Sequence, residues 1–131
     1  MPAEPFLVLV VDDSPDNREM YVQYLEMSGH RVIEAVDGRE AVERARSEAP
    51  DVIVMDLSLP VMSGWEAVAC LKSDARTAAT PVVALSGHII SPSEAHDAGF
   101  AAVLEKPCAP EELARIVEEL ITASRSRTAR G

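Results

Sequence analysis

Five short apolar runs, rich in β-branched residues and each cut off by a polar side chain, alternate with segments of helical periodicity. The first is Phe6-Leu7-Val8-Leu9-Val10-Val11, stopped by Asp12 and Asp13. The second, residues 31–36, is more mixed. The third is Val52-Ile53-Val54-Met55, stopped by Asp56; the fourth is Val82-Val83-Ala84-Leu85, stopped by Ser86; the fifth, residues 101–105, is stopped by Lys106 and Pro107. Runs of this kind, without polar alternation, predict strands buried on both faces. A parallel sheet with helices on each side meets that condition, and right-handed crossovers then give a doubly wound sandwich. The fold class expected is α/β: a (βα)₅ doubly wound five-stranded parallel sheet.

The intervening segments carry start and stop signals. Ser14 followed by Pro15 predicts an N-cap and first turn, with a helix to about Ser28 and Gly29 as its stop. Asp37-Gly38 is a turn before a helix with Ala41, Val42 and Ala45 inward, closed by Pro50. A loop with Leu59, Pro60 and Gly64 leads to a third helix through Val68 and Leu71. Ser91-Pro92-Ser93-Glu94 has the form of a capping box and opens a short fourth helix that ends at Gly99. Leu113, Ile116, Val117, Leu120 and Ile121 lie on one face of the fifth. The expected organisation is one folded domain, residues 1–122, followed by a basic, disordered C-terminal tail, residues 123–131.

Composition excludes several classes. A formal net charge of −10 opposes binding to nucleic acid or to an anionic membrane surface. No apolar run reaches the roughly 20 residues of a membrane span, and residues 1–5 lack the basic start of a secretory signal. Cys70 and Cys108 form neither a metal-ligand spacing nor a disulfide framework. A reduced, cytoplasmic protein is expected.

In open parallel sheets, ligands bind beyond the carboxyl ends of the strands. Here those ends present Asp12 and Asp13, Asp56, Ser86 and Lys106: three carboxylates, a hydroxyl and an ammonium. Clustered carboxylates raise one another's pKa unless a positive charge is present. Mg²⁺ suits such a site, since it takes one or two carboxylates plus phosphate oxygens and water. The same set suits a phosphoryl group, which brings strong acceptor oxygens and negative charge. A carboxylate held there can act as the nucleophile and become an acyl phosphate. Taken singly, each residue has an ordinary role as cap, loop serine or surface lysine; the order along the strand ends is what points to chemistry.

These motifs resemble a response-regulator receiver domain. The resemblance rests on Val-Val-Asp12-Asp13, on Asp56 followed by Leu-Ser-Leu-Pro60 and Gly64, on Ser86-Gly87, and on Lys106-Pro107, and it spans about residues 6–122. It implies a flavodoxin-like, CheY-like three-layer sandwich. It implies that Asp56 is the phosphoacceptor, that Asp13, Asp56 and the backbone carbonyl of Ser58 ligate Mg²⁺, and that Asp12 holds the metal through water. Lys106 would pair with the phosphoryl oxygens, and Ser86 would move to hydrogen-bond the phosphoryl group. The Lys106–Pro107 bond would be cis. The donor would be a phosphohistidine on a sensor histidine kinase or a histidine phosphotransfer protein. Output would be a phosphorylation-dependent contact with an unknown downstream protein, either from a stand-alone receiver, a phosphorelay intermediate or a receiver within a longer chain. The protein would catalyse its own phosphorylation without being a turnover enzyme.

The chain departs from the family pattern in three places. Val103 occupies the position where most relatives carry Tyr or Phe. The stretch from Ser86 to Gly99 is about two residues short. Ser86 stands for the commoner Thr. His88 and Ser58, each two residues beyond a site residue, sit where they could tune dephosphorylation. Trp65 reads as a partly exposed packing residue. Two other functions compete: a pseudo-receiver that only docks, disfavoured by the intact acids, and a haloacid-dehalogenase-type phosphatase, disfavoured because Ser58 stands where the second acid would be.

Overall fold

The computed structural model describes residues 5–130, with side chains described through Ser124. The chain forms β1 (Leu7–Val11), α1 (Pro15–Met27), β2 (Arg31–Ala35), α2 (Gly38–Glu48), β3 (Val52–Asp56), α3 (Gly64–Lys72), β4 (Val82–Ser86), α4 (Pro92–Ala98), β5 (Ala102–Glu105) and α5 (Pro110–Arg130). All four strand pairings are parallel, in the order β2-β1-β3-β4-β5. The (βα)₅ doubly wound sheet expected from the alternation is thus the fold.

Every residue of β1, β3 and β4 is buried, which accounts for their lack of polar alternation. The apolar residues separate into two layers on opposite faces of the sheet. Leu9, Val11, Ile53, Met55 and Ala84 pack against α2, α3 and Phe100. Val8, Val10, Val54, Val83 and Leu85 pack against Tyr21 and Leu25 of α1 and Leu113, Val117 and Ile121 of α5. Within one strand, alternate residues face alternate layers, as the period of two requires.

Caps set the helix limits. Ser14, Asp37, Ser63 and Ser91 each accept a main-chain N–H three residues on, which satisfies one of the donors a helix start leaves open. Ser63 and Glu66 form a reciprocal capping box, whereas the Ser91 to Glu94 segment makes only the Ser91 half. α5 differs from expectation. Its backbone stays helical through Arg130, where the composition predicts a loose tail over residues 123–131. The side chains of residues 125–130, together with Gly131 and the N-terminal residues 1–4 read for a targeting signal, lie outside the described residues.

One close approach fixes the distance between α3 and the end of β3. A Cβ on Gly64 would lie 2.6 Å from the Asp56 carbonyl oxygen and 2.9 Å from the Leu57 Cα. The Gly64 N–H also donates to the Leu57 carbonyl at 3.1 Å. Only a residue without a side chain lets the helix start press on the strand end. Gly64→Ala should therefore destabilise the fold by about 1–3 kcal/mol, the usual cost of overpacking. Chemical denaturation reads this; a midpoint equal to wild type would show that α3 can withdraw freely.

Candidate functional site at the carboxyl edge of the sheet

The sheet order makes the site. After β1 the chain crosses to the outer position for β2, then returns past β1 to begin β3. The crevice between the ends of β1 and β3 is the point where the order reverses, the usual place for a ligand in such sheets. Val11 pairs in register with Met55, so Asp12 and Asp56 follow on neighbouring strand ends. On the other side, Ser86 pairs with Glu105, and the next residue, Lys106, donates its N–H to the Ser86 carbonyl at 2.7 Å.

Asp12, Asp13 and Asp56 each offer a carboxylate oxygen to one cluster in which these atoms all lie within 4.8 Å of one another. Asp12 is fully buried, Asp56 is buried and Asp13 is exposed. The Asp56 Oδ2 accepts from Lys106 Nζ at 2.6 Å, and its Oδ1 accepts from the Ser58 N–H at 3.0 Å. The Asp12 Oδ1 accepts from the Ser14 N–H at 2.9 Å. Its Oδ2 is buried without a hydrogen-bond partner among the described residues, 3.6 Å from Lys106 Nζ.

The electrostatics follow from this geometry. Burial pushes the Asp12 carboxyl above the usual aspartate range. The charges of Asp56 and Asp13 push the same way, against the Ser14 N–H and Lys106. Lys106 is held above the ordinary lysine range: burial works against its ammonium, but the hydrogen bond to Asp56 and the charges of Asp12 and Asp56 outweigh it. Three carboxylates thus face one ammonium. A buried carboxylate oxygen without a donor, in a set of hard oxygen ligands, is a fitting site for a hard divalent cation such as Mg²⁺.

The structure brings together Asp12, Asp13, Asp56 and Lys106. Ser86 ends the next strand and is buried, but its hydroxyl donates to the His88 carbonyl at 2.7 Å and accepts the His88 N–H at 3.0 Å. It is engaged in its own loop rather than with the acids. His88 and Ser58 are exposed, and Ser58 approaches Asp56 through its main-chain N–H. The Lys106–Pro107 peptide is cis. Val103 is half-buried on β5 and lines a cavity of about 260 Å³ with Ile90, Pro92, Ala95 and Phe100. Trp65 is half-buried with its ring edge-on to Phe100, centroids 5.4 Å apart. Cys108 is buried and its thiol is pushed up by burial, a poor setting for a nucleophile.

Two contacts at the site escaped the sequence reading. One is the pinning of Asp12 and Asp56, each by the main-chain N–H two residues on; an Asp followed by a turn carries that signal in principle. The other is Arg18, whose Nη1 donates to the Asp12 main-chain carbonyl at 2.8 Å. No short-range pattern in the sequence announces it.

An acid cluster at the switch point of a parallel sheet, crossed by one lysine, thus sits within a CheY-like fold. The model of the response regulator receiver domain matches residues 8–118, and the chain belongs to that family. It is 33% identical over 105 residues to the polar-differentiation response regulator DivK of Brucella anthropi, covering 79% of this chain and 85% of that one. It is 42% identical over 76 residues to protein PilH of Pseudomonas aeruginosa, covering 58% of this chain and 63% of PilH, so the match spans less than two thirds of that relative. Among solved structures, it resembles the receiver domain of the sensor histidine kinase PA1611 of Pseudomonas aeruginosa. That structure has a magnesium ion coordinated in its active-site cleft; TM-score is 0.82 and identity 30%, covering 90% of this chain and 98% of that one.

No helix among the described residues is long and apolar enough to cross a membrane. The raised pKa of Asp12 carries a stability consequence. A carboxyl with a folded pKa above its unfolded one holds its proton more tightly in the fold, so its contribution falls as pH rises through that window. Asp12→Asn should therefore raise metal-free stability at pH 7, read as a higher Tm, and by less at pH 3.5. A thermal melt in EDTA at the two pH values reads the difference; an Asp12→Asn protein that melts below wild type at pH 7 would contradict it.

Proposed function

We propose that the protein is a phosphoacceptor receiver of two-component signalling in which Asp56 takes the phosphoryl group. The observation that carries this is the Asp56 carboxylate: it is buried in a three-acid cluster, with Lys106 2.6 Å away. The Asp56 carboxylate oxygen attacks phosphorus of a phosphohistidine, a P–O bond forms, and the P–N bond breaks. The imidazole leaves with its electron pair and takes a proton from solvent. Lys106 balances the charge that the transferred oxygens bring into the buried crevice. The donor would be a sensor histidine kinase or a histidine phosphotransfer protein, in a reduced, cytoplasmic setting that suits the two free thiols.

The acids fit Mg²⁺; Asp13, Asp56 and the Ser58 backbone carbonyl would hold it, and Asp12 would act through water. When bound, the metal supplies positive charge that offsets repulsion between the carboxylates and the phosphoryl oxygens. Ser86 would leave His88 and donate to the phosphoryl group. Ser58, exposed next to Asp56, and His88, exposed in the loop after Ser86, would set access of water and so the lifetime of the acyl phosphate. Output would be a protein contact that depends on phosphorylation, made without an aromatic at Val103. A hydrolase of the haloacid-dehalogenase type is disfavoured by Ser58, which offers no carboxylate two residues after Asp56.

Acetyl phosphate and Mg²⁺ should add one phosphoryl group to the intact mass of the wild-type protein. Asp56→Asn should give no adduct, and EDTA should suppress labelling of wild type. Equal labelling of Asp56→Asn would remove Asp56 from the role assigned to it.

A further inference from the structure

Arg18 is the side chain at the acidic edge whose place the phosphoryl chemistry does not explain. It is the fourth residue of α1 and is mostly buried, with 16% of its side chain exposed. Its Nη1 donates to the Asp12 main-chain carbonyl at 2.8 Å, and its Nε donates to Glu34 Oε1 at 2.9 Å. Glu34 is on β2, half-exposed. Arg18 thus ties the end of β1 to β2 from above.

The carbonyl it grips is a particular one. The Asp12 N–H still donates to the Ala35 carbonyl at 3.2 Å, so the β1–β2 ladder reaches Asp12 and then stops. The next carbonyl has left the ladder, and the guanidinium takes it up. A peptide unit is planar, so holding the Asp12 oxygen also holds the Asp13 nitrogen and Cα. Asp12 and Asp56 have a second restraint, since a main-chain N–H binds each carboxylate. The Asp13 carboxylate has no such bond among the described residues, so the placement of its main chain is the restraint the structure supplies.

We propose that Arg18 is a positioning residue for the cation site: by fixing the Asp12–Asp13 peptide it aims the Asp13 carboxylate into the crevice. Glu34 completes the device. It anchors the guanidinium and offsets its charge, so that the grip on the strand end does not repel the cation the acids attract. This rests on the reading of the acid cluster as a divalent-cation site.

Charge alone predicts the opposite sign. A guanidinium near three carboxylates repels a divalent cation, and its removal would tighten binding. Positioning predicts weaker binding on removal. The test is Mg²⁺ titration of the full chain by calorimetry for wild type, Arg18→Gln, Arg18→Lys and Glu34→Gln. Melting and the ¹⁵N shift of the Asp13 amide are recorded beforehand in EDTA. Arg18→Gln should weaken Mg²⁺ roughly tenfold or more, as losses of residues that orient metal ligands do, and should move the Asp13 amide before any metal is added. Arg18→Lys should recover only part, because an ammonium lacks the planar fork that reaches both partners. Glu34→Gln should weaken binding in the same direction and by less, and it carries the test if Arg18→Gln fails to fold. Wild-type binding with an unchanged or tighter affinity in a folded Arg18→Gln protein, or in Glu34→Gln where that variant carries the test, overturns this inference alone. Wild type that takes up no Mg²⁺ overturns the functional reading and this inference with it.

Discussion

The ion pair between Lys106 and Asp56, 2.6 Å long and largely shielded from solvent, is the contact on which the arrangement turns. Three carboxylates drawn to one edge of a sheet repel each other, and burial makes each charge costlier still. Without an internal cation the crevice would favour protonated acids or a displaced strand end. Lys106 holds the cluster together without neutralising it. The incomplete balance is informative: the Asp12 Oδ2 stays buried with no hydrogen-bond donor among the described residues, only 3.6 Å from the ammonium. A site that served structure alone would be expected to satisfy that atom.

Holding like charges together requires a scaffold that does not yield. β1, β3 and β4 are buried along their whole length and packed on both faces by aliphatic side chains. Moving one strand end by an ångström would disturb two apolar layers at once, since protein interiors are close-packed. The main chain adds local restraint: the N–H groups of Ser14 and Ser58 fix Asp12 and Asp56, and Gly64 brings the start of α3 against the Asp56 carbonyl. The site is therefore built chiefly from backbone positions, with few side chains supporting side chains.

That division explains what could be read in the sequence. Strand ends were legible because an apolar run broken by Asp12, Asp56, Ser86 or Lys106 marks both where burial stops and what stands at the edge. The sheet then followed from the alternation, and the strand limits differ from expectation by at most a residue. Contacts set by three-dimensional packing were not legible. Arg18 meets the Asp12 carbonyl only because α1 folds back over β1, and the direction of the Ser86 hydroxyl depends on the turn that His88 makes. The helix through Arg130 had no apolar stripe to announce it beyond Ile121. There the helix extends an existing hydrogen-bonded ladder, for which moderate propensities suffice.

The position of Ser86 bears on how a change at Asp56 could be felt elsewhere. Its hydroxyl closes the turn after β4 with two hydrogen bonds to His88, each worth about 1 kcal/mol net. On the reading proposed here, a phosphoryl group on Asp56 competes for that hydroxyl with charge-assisted bonds, which are roughly twice as strong as neutral ones. The loop would be released toward Ile90, which packs with Ala95 and Phe100 around the cavity that Val103 lines. An aromatic ring at residue 103 would need space to rotate; valine has none of that reach and leaves the cavity beside α4. α4 is a helix of only seven residues, capped by Ser91 and Gly99 and bordered by that cavity. On that reading the segment from Ser86 to Phe100, rather than a ring on β5, would be the part of the fold that answers a change at the acid cluster.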